Sequence, residues 1–239
     1  MEPHLPPQPP PDAPAPPPGP EALESRRKMG CILWGGGGCV VLLLLGFLTA
    51  TVIHRPKGPA YRTEAINNIK QVNLELIDFD NDYGSFPNAS TIPAVKAATA
   101  TTLSLGTSSS NDLLRQLIAT STYKSEKIFW AKTAGTPRKG NDVLGADALK
   151  KGECAFTYIA GLSTSSDPNA PVLLVPVIPG TWKFDPKPFN GKAVVLRIDG
   201  SARPETIDKN GDVIIGGMNI FDPRQPYWGG KAPDIKWPE

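Results

Sequence analysis

The sequence predicts an α+β protein: an N-terminal transmembrane helix, then a long amphipathic helix packed on an antiparallel β-meander. Three observations carry this expectation. Residues 31–53 form an uncharged, largely apolar run. From Ile66 to Tyr83, apolar residues recur at spacings of three and four. Two tight-turn dipeptides, Asp199-Gly200 and Asn210-Gly211, punctuate a β-rich C-terminal half.

Residues 1–28 come first. Eleven of the 27 prolines lie within the first 20 residues. Such a stretch buries too little apolar surface to offset its ordering entropy, so it is expected to be disordered with polyproline II character. The 23 residues from Cys31 to Ile53 include twelve Leu, Ile, Val or Phe and no charge. As a helix rising 1.5 Å per residue, that length crosses a hydrocarbon core about 30 Å thick. A cleaved signal peptide has a shorter apolar region, of about 7–15 residues. Arg26, Arg27 and Lys28 ahead of the run favour a cytoplasmic N-terminus, with residues 60–239 outside.

The segment 54–59, with Pro56, Gly58 and Pro59, reads as a breaker. Beyond it, Ile66, Ile69, Val72, Leu76, Phe79 and Tyr83 lay one apolar stripe along a helix expected over Tyr61–Asp82, widened by Leu74 and Ile77. Gly84 and Pro87 stop it. Residues 88–110 read as loop. A short helix follows on NDLLRQLIAT with Ser110 or Asn111 as N-cap, and KIFWAKT reads as extended. ECAFTYIAG and PVLLVPVIPG read as strands, with Cys154 a small buried residue at the start of the first. A three-stranded meander is expected over Lys192–Ile198, Ser201–Ile207 and Asp212–Ile215, because the dipeptides supply the positive φ of two-residue hairpin turns. Pro204 assigns its run a bulge or an edge position.

This order of parts resembles the type IV pilin and type II secretion pseudopilin superfamily. The phrase Tyr83-Gly84-Ser85-Phe86-Pro87 is similar to the one that closes the long helix in major-pseudopilin-like members. Asn67-Asn68-Ile69-Lys70-Gln71 and the strand-turn phrase Val195–Ser201 resemble motifs of pilin-like bacterial proteins. The resemblance implies a pilin-like extracytoplasmic domain on a single-pass protein of the bacterial inner membrane, facing the periplasm or cell surface. It also implies prepilin-type processing at Gly30, although Gly35 stands where prepilins carry Glu. Partners implied are the lipid bilayer, further copies of the chain and secretion-system subunits. The alternative is an anchored binding or scaffold protein that uses the fold without entering a filament.

No enzyme chemistry or cofactor is expected. The only histidines are His4 and His54, outside residues 60–239, so that domain holds no Ser-His-Asp or His-rich zinc site. The net charge of +2, without a basic patch, predicts no nucleic-acid partner. Asp78, Asp80 and Asp82 read as a solvated helix end. Asp208 and Asp212 outline a weak calcium loop in which Gly211 is fourth rather than sixth and Asn219 replaces the twelfth-position Glu. A hairpin turn explains the same residues.

Overall fold

The computed structural model describes residues 57–121, 125–136, 138–146 and 148–239. The proline-rich tail, the apolar run 31–53 and Gly30 lie outside the described residues.

Helix α1 spans Gly58–Tyr83. It starts earlier than the sequence predicts because Pro59 sits in the first turn, where a proline removes no intrahelical hydrogen bond. Its inner stripe of Ile69, Val72, Leu76 and Phe79 is buried. It ends at Gly84, whose φ of 77° lets its N–H reach the Asp80 carbonyl at 2.7 Å. The Tyr83–Pro87 phrase then docks the chain. Tyr83 stacks on Phe79 with centroids 4.5 Å apart, Phe86 is buried, and the Phe86 N–H donates to the Leu162 carbonyl at 3.0 Å. Helix α2 covers Ile92–Thr99, within the stretch expected to be loop. Helix α3 covers Ser110–Thr120, and its N-cap is Ser109, whose hydroxyl accepts from the Asp112 N–H at 3.1 Å.

The main sheet has five antiparallel strands in the order β4-β3-β2-β1-β7. They are β1 Thr157–Ala160, β2 Pro171–Val175, β3 Lys192–Arg197, β4 Ala202–Thr206 and β7 Asp234–Lys236. Side chains alternate between two cores. Tyr158, Leu173, Val194 and Leu196 face the helices, whereas Ile159, Leu174 and Val195 face a second apolar cluster with Phe184, Phe221 and Trp228. Cys154 is buried three residues ahead of β1, and desolvation there pushes its thiol up to about 11.

The expected fold class therefore needs correction. None of the described helices is long and apolar enough to cross a membrane. The long helix is not amphipathic in the expected sense, because its polar and apolar residues are poorly sorted. Asn73 and Asp80 lie on the buried side, while Leu74, expected to widen the stripe, is 62 % exposed. What stands is a mixed arrangement of helices and antiparallel sheet. The third expected meander strand also leaves the sheet. After a single bridge between Ile207 and Val213, β5 (Ile214–Ile215) pairs with β6 (Met218–Asn219) as a separate ribbon. The opposite edge of the sheet, beside β1, is filled by β7, from a tail expected to be coil. KIFWAKT begins with a 3-10 turn, Lys127–Phe129, rather than a strand.

A candidate interaction groove

Most of the outward face of α1 is not covered by the sheet, and beside α3 it forms one wall of a groove of about 520 Å³. Leu74, Ile77 and Asp78 come from α1, Ile118 from α3, and Ile128 from the 3-10 turn. The opposite wall is held by hydrogen bonds. Asn68 donates from Nδ2 to the Trp130 carbonyl at 2.8 Å, so α1 grips the turn. Lys127 pairs with Asp142, and that ammonium, helped by the Glu126 N–H and the Ser125 hydroxyl, holds the Asp142 carboxyl below its ordinary range.

Behind this wall Glu126 is almost fully buried and acts as a backbone clamp. Its carboxylate accepts from the Asp142 N–H at 2.9 Å and from the Leu149 N–H. Gly140 packs directly on it, and any Cβ there would overlap Glu126. Arg115 completes the frame, donating from Nε to the Ala148 carbonyl at 2.8 Å and from Nη1 to Asp112 at 2.7 Å. The groove is thus a firm, partly apolar surface, with Glu75 and Asp78 on its α1 wall.

The three aspartates at the end of α1 divide. Asp78 and Asp82 are exposed, but Asp80 is only 9 % exposed. One of its oxygens accepts from the Thr164 N–H at 3.0 Å and from the Thr164 hydroxyl, while Oδ1 is buried with no partner. Asp80 pins the 162–166 loop to the helix, a role that the expected solvated end omits. Its position four residues after Leu76 on the buried stripe is the signal that could have revealed it.

Asp208 and Asp212 are brought together in a turn. Asp208 Oδ1 accepts from the N–H groups of Asn210 and Asp212, each at 2.8 Å. Those bonds are the largest cause holding its carboxyl below the usual range, the Asp212 N–H foremost. Asp212 lies against the Lys183 ammonium at 2.7 and 2.8 Å, and Asn219 Nδ2 donates to it at 2.8 Å. The carboxylates are engaged by donors rather than turned toward a common empty centre. Among the described residues no group of three or more His, Cys, Asp or Glu side chains is placed to hold a metal ion.

No family model, curated protein or solved structure matches the chain.

Proposed function

We propose that the chain is a non-enzymatic protein whose pilin-like unit works by lateral association, in type II secretion or a type IV pilus-like envelope assembly. Attachment to the bacterial inner membrane through residues 31–53 belongs to this reading and rests on their composition alone. The observation that carries the association is the far end of α1. Asp78 and Asp82 are exposed at its C-terminal end, the last turn holds no basic residue, and exposed Leu74 and half-buried Ile77 open into the groove beside it. Carboxylates at a helix C-terminus oppose the macrodipole by about 0.3–1 kcal/mol each. Local stability therefore does not account for them. A partner surface that brings basic groups to this end and an apolar ridge to the groove does.

The test is a photo-cross-linking residue at position 74 of the full chain in native membranes. A discrete adduct with a second copy or a secretion subunit, lost when Ile77→Asp is added, is the expected result. Normal accumulation with no adduct overturns the association. Mass spectrometry of the N-terminus separates the two forms of the reading. Cleavage after Gly30 supports a processed, pilin-like subunit. An intact proline-rich tail leaves an anchored binding or scaffold protein outside any filament.

A further inference from the structure

Opposite the acidic end of α1, the start of the helix shares one end of the sheet with an exposed hairpin. Strand β2 runs out at Val175, opposite Val194 near the start of β3, and the chain continues into a hairpin closed by a bridge between Val177 and Phe184. Its tip is a turn with Pro179 second and Gly180 third. The Thr181 N–H donates to the Ile178 carbonyl at 3.1 Å, and Gly180 takes a φ of 74°. These are the marks of a type II turn. The Ile178 N–H adds a bond to the Lys183 carbonyl at 2.8 Å, and Trp237 Nε1 donates to the Thr181 carbonyl at 3.1 Å. The backbone is fixed from two sides. Even so, Ile178 and Trp182 are 42 % and 45 % exposed, and Pro179 is exposed between them.

The start of α1 lies at this same end. A Cβ at Gly58 would meet Asn190 N at 3.3 Å and the Pro188 carbonyl at 3.4 Å, and Arg62 donates to the Phe189 carbonyl at 3.3 Å. The charge here is mainly positive. Lys57, Arg62, Lys187, Lys192 and Lys209 stand against Asp185 and Asp208, while Lys183 and Asp212 pair with each other. Lysine and arginine at a helix start oppose the macrodipole, as the aspartates do at the other end. In the sequence, Lys57 is also only four residues beyond Ile53, where the uncharged run stops.

We infer that this end is a second membrane contact: the 178–182 tip seats Ile178, Pro179 and Trp182 in the interfacial layer of an anionic bilayer, and the surrounding lysines meet its headgroups. A ring that is apolar with one polar N–H suits the headgroup level, and lysine stems keep their charge in water while covering apolar surface. Basic groups near an anionic leaflet are attracted over about a Debye length. The inference rests on the membrane attachment proposed above and adds a face and a lipid preference to it.

The experiment uses the full chain in bilayers containing phosphatidylglycerol, with Cys31 and Cys39 replaced by Ser and an environment-sensitive fluorophore on Pro179→Cys. A blue shift at this site, with quenching by headgroup-proximal nitroxide lipid, is expected. The same label on Asn81→Cys, at the far end of α1, should stay aqueous. Pure phosphatidylcholine bilayers, or Ile178→Ser with Trp182→Ser, should reduce the shift at 179 while thermal unfolding is unchanged. If the protein floats with the vesicles and the label at 179 stays in water, the second contact is overturned and attachment by residues 31–53 survives. If the protein does not float, both fail together. A shift equal in anionic and neutral bilayers removes the headgroup role and overturns the stated lipid preference.

Discussion

The Tyr158 hydroxyl, fully buried on β1, donates to the Pro87 carbonyl at 2.8 Å and so fastens the helix-closing turn to the sheet. Tyr158→Phe leaves that carbonyl without its donor and should cost about 1–3 kcal/mol, measured by denaturant unfolding. Burial foremost, then the charges of Asp234 and Asp80, raise the phenol well above its ordinary value. The folded state therefore holds this proton more tightly than the unfolded chain. Its contribution is fully present below about pH 10, the unfolded value, and declines as pH rises beyond it. Alkaline unfolding should be less steep in the Phe variant.

Gly140 and Glu126 form a tight steric pair behind the groove. Gly140→Ala must displace Glu126 and with it the bonds to the Asp142 and Leu149 N–H groups. Overpacking of this kind costs about 1–3 kcal/mol. Glu126→Gln, which turns one acceptor into a donor facing an N–H, should fall in the same range. Thermal melts of both variants test this. Asp142, held low, contributes stability that is present above the ordinary carboxylate value and lost as pH falls through its folded value. Lys127→Ala should therefore be less stable than the parent at neutral pH, with the difference narrowing as pH falls through the folded Asp142 value, read by denaturant unfolding at several pH values.

Pro204 faces outward on edge strand β4. The Arg197 N–H donates to Ser201 and the Ile207 N–H to Gly191, so residues of odd number in β4 bond to β3 and residue 204 does not. The proline costs no ladder bond and denies a neighbour one donor on the free edge. Pro204→Val should leave the melting temperature nearly unchanged and raise concentration-dependent self-association, read by light scattering.

Asp212 already has an ammonium partner. A calorimetric titration of the protein with calcium should give no heat, and Lys183→Ala, which removes the competing charge, is the variant in which weak heat would appear. Heat in the parent protein would contradict this account of the turn.

Local signals in the sequence translate into structure where neighbouring residues decide the outcome. The Gly84 stop, the Asp199-Gly200 turn between β3 and β4, and the strands 157–160 and 171–175 are of this kind. The second core was less legible. VLLV in β2 and AVVL in β3 are continuous apolar runs, a pattern that belongs to strands covered on both faces, and the covering layer comes from distant coil with Phe221 and Trp228. Pairing of β7 with β1 was not legible, because three residues, DIK, carry almost no periodic signal. The groove was hidden for a related reason. Leu74 and Ile118 come to line one groove only through tertiary packing, and nothing near Glu126 marks it as a clamp. Asp80 is the exception, since its place on the buried stripe could be read from spacing alone.

The β1–β7 pairing has a consequence for the order in which the molecule is made. Strand β1 gains one neighbour from residues 171–175 but must wait for residues 234–236 to cover its other side. Until those residues pair with it, β1 keeps a bare hydrogen-bonding edge and the second core lacks Ile235. Closing so long a loop is also slow relative to forming hairpins. The unit should therefore remain open and protease-sensitive on that side until residues 234–236 pair with β1.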